Sequence, residues 1–235
     1  MARKHHPSLK SIQPKGRKEE SLVQKKVFLI ACEGICTEPN YINGLVKIEK
    51  LRKNIAEGTE VIIAEHQHSD PLGVVKDLLS TPYAESFDER WIVIDRDEIE
   101  IIGKGGGGHT KENFDKAVET CISRNIKIAC SNPCFELWIV LHFEYRDSEC
   151  SRKDIQIKAL EKVNSLLSAD KKIKRVEDMK SLDNLYELLE EKRDTAIKFS
   201  RKLSENEATF RNPSTGIHKL ISSICSADTA ETVVY

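Results

Sequence analysis

The sequence predicts an α/β fold, with a parallel sheet of about four strands flanked by helices and a helical region appended at the C-terminal end. Short runs of bulky apolar residues, typical of strands buried on both faces, alternate with segments whose apolar residues recur at helical spacing. From about Arg152 onward only the helical spacing remains. Alternating strands and helices favour parallel strands joined by right-handed crossovers.

Four strands and four helices are expected before residue 150. The first two helices carry start signals, with Thr37 as a cap followed by Pro39, and then Asp70-Pro71. The fourth helix is apolar on every face, which predicts that it is buried. The strands are expected at residues 27–32, 61–64, 91–94 and 126–130, and the helices at about 37–48, 70–79, 111–124 and 131–143.

Three regions are expected along the chain. Residues 1–25 form a basic arm that is expected to be disordered, since residues 1–26 hold eight Lys and Arg against two Glu. Residues 26–150 form the α/β domain. Residues 151–235 form the helical region packing on it, with a longer amphipathic helix over about 182–203 and a short one beginning at Asn212.

Composition excludes several classes of protein. A hydrophobic content of 39% supports a real core, and no run of about 20 apolar residues predicts a membrane span. Seven cysteines, an odd number, fit reduced thiols in the cytoplasm better than a disulfide framework, and no secretory signal is recognised. The net charge of −1 gives no global argument for nucleic-acid binding.

Two aspartates, Asp95 and Asp97, end the buried strand at residues 91–94. Parallel sheets bind ligands at the carboxyl ends of their strands, so the pair is expected at such an edge. Two like charges so close together require a nearby cation or the protonation of one member. A hard divalent ion such as Mg²⁺ is the natural partner. An acidic loop after a buried strand is the alternative interpretation.

Two further carboxylates belong to the same hypothesis. Glu33 ends the first strand and precedes Gly34, so it is expected to face the aspartate pair if the two strands are neighbours. Glu136 lies within the helix that is apolar on every face, where a carboxylate is costly unless it is paired, protonated or bound to metal. His142, in the same helix, is interpreted as a core histidine.

Two other patterns do not support a site. The glycine run at residues 103–108 lacks the Gly-Lys-Ser/Thr order of a phosphate-binding loop, and a flexible crossover is the better interpretation. The cysteine pairs 32/36 and 130/134 have three residues between their members, which is not the usual zinc spacing. These cysteines are interpreted as small buried residues.

The motifs together resemble the RloB family, which is similar to TOPRIM-type nucleases and is linked to bacterial antiphage and abortive-infection loci. The resemblance covers most of residues 26–222, and its most specific part is the block from Ser131 to Phe143. The segments that carry it are Glu33-Gly-x-x-Thr-Glu-Pro-x-Tyr41, Asp95-Arg-Asp-Glu98, Ser131-Asn-Pro-Cys-Phe-Glu-Leu-Trp-x-x-x-His-Phe143 and Asn212-Pro-Ser-Thr215.

The resemblance implies a TOPRIM-like (Rossmann-like) sheet and Mg²⁺-dependent, or Mn²⁺-dependent, cleavage of nucleic-acid phosphodiesters. It implies that Glu33 acts as general acid or base, or helps to hold metal, and that Asp95 and Asp97 bind Mg²⁺. Glu38 and Glu136 are candidates for a second ion. Candidate nucleic-acid contacts are Arg96, for which a structural salt bridge is equally compatible, and Lys171, Lys172, Lys174 and Arg175.

The expected partners are DNA or RNA, which the sequence does not distinguish, and an ATPase sensor encoded elsewhere. A homo-oligomer is left open. The alternative function is a TOPRIM-like module that docks on a partner ATPase or on nucleic acid without cutting it. Phosphomonoester hydrolysis in the haloacid dehalogenase manner is disfavoured, because the aspartate pair follows the third strand rather than the first.

Overall fold

A computed structural model describes residues 26–96, 109–204 and 210–225. Its centre is a five-stranded sheet in the order β2-β1-β3-β4-β5, in which the first four strands are parallel and β5 is antiparallel to β4. The strands are β1 (Val27–Cys32), β2 (Glu60–Ile63), β3 (Glu89–Asp95), β4 (Lys127–Asn132) and β5 (Ser214–Thr215). The predicted α/β class is confirmed.

Nine α-helices lie within the described ranges. Three follow the first three strands, as crossovers between parallel strands require. These are α1 (Thr37–Leu51), α2 (Pro71–Ser80) and α3 (Lys111–Ser123). The others are α4 (Glu136–Leu141), α5 (Arg152–Leu166), α6 (Val176–Lys180), α7 (Leu185–Leu189), α8 (Arg193–Ser204) and α9 (Ile217–Cys225). None of the helices in these ranges is both long and apolar enough to cross a bilayer.

The two faces of the sheet bury separate cores. Successive side chains of a strand point to opposite faces, so Phe28 and Ile30 join one core while Leu29 and Ala31 join the other. Helices α2 and α3 cover the smaller core. The larger core is covered by α1 and α4 together with helices from the C-terminal region, so these helices and the sheet share one apolar interior.

The order of the strands fixes where a ligand would bind. The chain leaves β1 to form β2 on one side and then returns to form β3 on the other side of β1. In open parallel sheets the crevice lies at the carboxyl ends of two strands whose connections diverge in this way. In this protein those strands are β1 and β3.

Three expectations about individual elements are wrong. Helix α4 begins at Glu136 and ends at Leu141, rather than spanning 131–143, because β4 continues through Asn132. The helix expected over 182–203 is divided into α7, a 3₁₀ turn at Glu190–Lys192, and α8.

The third correction concerns residues 212–215, where a helix start was expected. Ser214 and Thr215 form a fifth strand that pairs with Asn132 and Ser131, and the helix begins only at Ile217. A two-residue strand is too short to show a period, and the hydrogen bonds that define it come from a segment about 80 residues earlier. The sequence-derived count of about four strands therefore missed β5.

Candidate functional site

Two carboxylates meet at the crevice between β1 and β3. Glu33 directly follows β1, and its backbone N–H donates to the carbonyl of Val93 at 2.9 Å. The backbone N–H of Asp95, the last residue of β3, donates in turn to Glu33 Oε2 at 3.0 Å. The neighbouring parallel strands therefore hold the Glu33 side chain against the end of β3, as the sequence predicts.

Glu38 reaches the same crevice from the first turn of α1. It is buried, and its Oε1 accepts a hydrogen bond from the backbone N–H of Gly34 at 3.2 Å. A Cβ at position 34 would lie only 2.0 Å from Glu38 Oε2. A larger residue at this position would therefore displace the carboxylate of Glu38 from the backbone N–H that it accepts.

Glu136 enters from the first residue of α4 and is also buried. Its Oε1 lies 2.9 Å from Lys180 Nζ, whereas its Oε2 is buried without a hydrogen-bond partner. An unsatisfied carboxylate oxygen at a buried position costs free energy unless a ligand completes it. This oxygen is therefore a candidate ligand atom.

The four carboxylates line one pocket of about 600 Å³. Asp70, which caps α2, and Glu177, in the first turn of α6, add a fifth and a sixth acidic side chain to its wall. The basic side chains lining the pocket are Arg152 and Lys180. The pocket therefore lies at the carboxyl edge of the sheet and collects residues from both the sheet and the C-terminal helices.

Burial and mutual repulsion raise the pKa values of three of the acidic side chains. Burial, with the negative charge of the neighbouring carboxylates, raises the pKa of Glu33 to about 7 and that of Glu38 to about 7. Burial also raises the pKa of Asp95 well above its ordinary value, and the charge of Glu33 adds to this effect. Without an added cation, the site therefore favours protons on its carboxylates.

Two cations from the helical region partly offset this charge. Arg152, the first residue of α5, places Nη2 3.4 Å from Asp95 Oδ2. Lys180 is the last residue of α6 and pairs with Glu136. Burial lowers the pKa of Lys180, but the charge of Glu136 and its hydrogen bond with Lys180 together raise the pKa above its ordinary value. Sequence reasoning missed both cations, since no local motif marks a residue that enters the site from a distant helix.

The predicted nucleic-acid contacts lie outside the pocket. The guanidinium of Arg96 lies 5.1 Å from the ring centre of Phe114 and 5.9 Å from that of Phe210. Within the described ranges it therefore makes cation–π contacts, and both the contact with phosphate and the alternative of a salt bridge stay predictions. Lys171, Lys172, Lys174 and Arg175 are exposed before α6, and Arg175 pairs with Asp178.

Other predicted residues are accounted for as follows. Asp97 and the glycine run at 103–108 lie outside the described residues. His142 is a core histidine, because its Nδ1 lies 2.9 Å from the carbonyl of Trp138 and its Nε2 lies 3.2 Å from the hydroxyl of Tyr41. None of the seven cysteines, which all lie within the described ranges, forms a disulfide bond.

The donor chemistry of the pocket suits a hard divalent ion. Its carboxylate oxygens are the ligands that Mg²⁺ prefers, and the orphan oxygen of Glu136 faces no protein donor. In the described part of the chain, no three His, Cys, Asp or Glu side chains are already close enough together to hold a metal ion. The residues thus fit the ion in type and charge, and their side chains would have to converge on it.

Comparison with known proteins gives one match. A family model described as RloB-like protein matches residues 28–224. The match spans the sheet and the C-terminal helices that supply Arg152 and Lys180. No curated protein and no solved structure matches the chain.

Proposed function

The chain belongs to the RloB-like family, and from this membership and its acidic pocket we propose that it is a divalent-metal-dependent nuclease that hydrolyses nucleic-acid phosphodiesters. The observation that carries the proposal is the meeting of Glu33 and Asp95 at the crevice between β1 and β3, with Glu38 and Glu136 in the same pocket. An acidic pocket repels a polyanionic substrate unless cations compensate its charge. A resident divalent ion supplies that compensation.

The charge in the pocket supports a divalent ion. When ionised, the six carboxylates that line the pocket carry six negative charges, and Arg152 and Lys180 contribute two positive ones. The four negative charges that remain favour the binding of divalent cations such as Mg²⁺ or Mn²⁺. Burial is the main cause of the raised pKa values of Glu33 and Glu38, and the negative charge of the neighbouring carboxylates adds to it.

We assign the metal-binding role to Asp95, Glu136 and Glu38, and to Asp97 on its sequence position two residues beyond Asp95. When bound, the ion would polarise the phosphate, lower the pKa of a water nucleophile and stabilise the leaving oxygen. Glu33 accepts the backbone N–H of Asp95 through Oε2, which fixes the side chain. Its Oε1 can then accept the proton of the attacking water.

The biological part of the proposal comes from the motif resemblance. RloB-type motifs support an effector role in an antiphage or abortive-infection system, acting with an ATPase encoded elsewhere. A cytoplasmic location fits that role and stays a prediction. The choice between DNA and RNA is left to experiment.

Cleavage tests the proposal directly. The purified chain is incubated with Mg²⁺ or Mn²⁺ and pooled cellular DNA and RNA, and Asp95→Asn is compared with Glu89→Gln. Both residues lie on β3, but Glu89 is at its opposite end and pairs there with Lys26 and Lys127. We expect cleavage by the wild type and by Glu89→Gln, and none by Asp95→Asn. Equal cleavage by a folded Asp95→Asn variant would contradict the proposal.

Metal binding gives a second test that does not depend on finding the substrate. An ion that binds only the folded chain stabilises it by about 2.7 kcal/mol at a concentration 100 times its Kd. We expect Mg²⁺ to raise the melting temperature of the wild type and of Glu89→Gln, and EDTA to reverse the change. Asp95→Asn should show no such rise. Metal binding without cleavage of any nucleic acid would favour the non-cleaving binding module.

A further inference from the structure

Two basic side chains reach the acidic pocket from outside the sheet. Arg152 Nη2 lies 3.4 Å from Asp95 Oδ2, and Lys180 Nζ lies 2.9 Å from Glu136 Oε1. Arg152 begins α5 and Lys180 ends α6, so the two come from different helices of the C-terminal region. Each is paired with a different one of the carboxylates that we assign to metal binding.

One glutamine links the two basic side chains. Gln156 lies one helical turn after Arg152 on α5. When its amide oxygen faces them, it accepts from Arg152 Nε at 3.2 Å and from Lys180 Nζ at 3.0 Å. A shared acceptor holds the guanidinium and the ammonium group beside each other, so together they form one doubly charged donor surface.

This donor surface remains open to solvent. The side chains of Arg152 and Lys180 are 35% and 28% exposed, and both line the pocket. The partly buried Arg193, which pairs with the buried Glu49 elsewhere in the molecule, is 19% exposed and lines none of the described pockets. A ligand that enters the acidic pocket can therefore reach Arg152 and Lys180.

A divalent ion would compete with these two cations. It requires carboxylate oxygens, and the nearest ones, Asp95 Oδ2 and Glu136 Oε1, are the present partners of Arg152 and Lys180. Once the carboxylates bind the ion, Arg152 and Lys180 can each direct a donor to an anion that enters the pocket. Phosphate oxygens match both groups, and the guanidinium can bind them in a bidentate manner.

We infer that Arg152 and Lys180 bind the phosphodiester that is cleaved, when the carboxylates of the pocket hold the metal ion. The inference rests on the proposed nuclease function and names two catalytic residues for it. Cations placed on the oxygens of a transferring phosphoryl group stabilise the charge of its transition state. The C-terminal helices therefore contribute part of the active site.

The surroundings of α6 fit an incoming nucleic-acid strand. The exposed basic residues at 171–175 directly precede α6, and Lys180 ends it. Five helical residues rise by about 7.5 Å, so the exposed basic loop begins about this far from the pocket. A phosphate backbone that follows this loop to Lys180 also passes Glu177 and Asp178 on α6, of which Asp178 is paired with Arg175.

The test uses Arg152→Gln and Lys180→Gln in the full chain, with matched controls. Lys158→Gln matches Arg152 in exposure, at 34% against 35%, and Lys162→Gln matches Lys180, at 28% for both. Both control lysines lie on α5 and pair with Glu144, which does not line the pocket. Calorimetry measures Mg²⁺ affinity. Fluorescence anisotropy measures the binding of labelled 20-nucleotide DNA and RNA strands in Ca²⁺.

The substitutions at Arg152 and Lys180 should affect the affinity for Mg²⁺ and the affinity for the labelled strand differently. Without a competing cation, each pocket variant should bind Mg²⁺ as tightly as the wild type or more tightly, because its carboxylates carry more uncompensated charge. The same variant should bind the labelled strand at least about tenfold more weakly, since one charge-assisted phosphate contact is lost. Arg152→Lys, which keeps the charge, should recover part of that affinity.

Several outcomes separate the two proposals. If the wild type binds Mg²⁺ and cleaves, but both pocket variants bind and cleave the strand like Lys158→Gln and Lys162→Gln, the inference is wrong and the nuclease proposal stands. If the pocket variants lose Mg²⁺ affinity, their role is to hold the carboxylates in place and the inference is again wrong. If the wild type neither binds Mg²⁺ nor cleaves, both proposals fail. Should Arg152→Gln fail to fold, Lys180→Gln decides alone.

Discussion

Two glutamates at opposite ends of α1 are both buried but differ in the number of hydrogen-bond and ion-pair partners that the protein gives them. Glu49, near the end of the helix, accepts hydrogen bonds from the Tyr186 hydroxyl at 2.6 Å and from Asn54 at 2.7 Å, and its Oε2 lies 2.6 Å from Arg193. Glu38, in the first turn, accepts one backbone N–H at 3.2 Å. The pKa values follow the partners, because burial raises the pKa of both residues, whereas for Glu49 the hydrogen bonds outweigh burial and lower it.

The difference shows what a structural carboxylate requires. Burial alone does not distinguish the two residues, which are 0% and 4% exposed. Glu49 has donors and a guanidinium that satisfy its charge within the protein, so no external ligand is needed. Glu38 shares its pocket with Glu33, Asp95 and Glu136, and the pocket holds fewer cations than carboxylates. The uncompensated negative charge is therefore a property of the pocket and not of helix α1.

Removing Arg193, which pairs with Glu49 near the end of α1, should have the largest effect on stability. Arg193→Met removes the closer of the two guanidinium groups that pair with the buried Glu49 and leaves Arg52 at 3.7 Å, so we expect a loss of up to about 3–5 kcal/mol of unfolding free energy. Urea denaturation measures the loss. Lys47→Met is the control, because its ion pair with Glu187 is exposed and should contribute less than about 1 kcal/mol. Similar small losses in both variants would show that Glu49 is not compensated by Arg193.

The second prediction concerns the pH dependence of stability in metal-free buffer. The pKa of Glu38 is about 7 in the folded chain, above its value of about 4.3 in an unfolded one. The stability that this group contributes is complete below about pH 4 and is lost as the pH rises through about 7, by up to about 3 kcal/mol. We therefore expect Glu38→Gln to be more stable than the wild type at pH 8, and this gain to vanish near pH 4.

Glu49→Gln should show the opposite sign. The pKa of Glu49 is lowered in the folded chain, so its contribution is present at neutral pH and is lost as the pH falls. Urea midpoints measured from pH 4 to pH 8 compare the two variants. If Glu38→Gln were destabilising at every pH, the carboxylate of Glu38 would be structural, and the contrast between the two ends of α1 would disappear.

The sequence was sufficient to predict four of the six acidic side chains that line the pocket, but not Asp70 and Glu177. Strand β1 begins and ends at the predicted residues, and a parallel sheet necessarily places the ends of neighbouring strands together. Glu33 and Asp95 could therefore be assigned to one edge before their side chains were located. Glu136 could be identified because a charge in a helix that is apolar on every face is unusual.

The basic half of the pocket could not be predicted in this way. Arg152 lies 57 positions after its partner Asp95, and Lys180 lies 44 positions after Glu136. Their places depend on how α5 and α6 pack beside the sheet, and helical periodicity does not specify such packing. Strand β5 was missed for the same reason, because its only strand partner is the distant end of β4.

The smallest effect is expected at the rim of the pocket, where one carboxylate has a structural role as well. Asp70 Oδ1 accepts from the backbone N–H of Gly73 at 3.1 Å, which caps α2, and from Asn113 at 2.6 Å. Asp70→Ala should cost about 1 kcal/mol of unfolding free energy, because the cap is lost. Asp70→Asn keeps an acceptor in place and should cost less than about 0.5 kcal/mol, since asparagine caps helices as well as aspartate does.

Calorimetry should then show that Mg²⁺ binds Asp70→Asn a few-fold more weakly than the wild type, because the pocket has lost one negative charge without losing the cap. If the two substitutions destabilise the chain equally, the charge of Asp70 and not its hydrogen bonds stabilises α2, and this residue would then resemble Glu49 rather than Glu38.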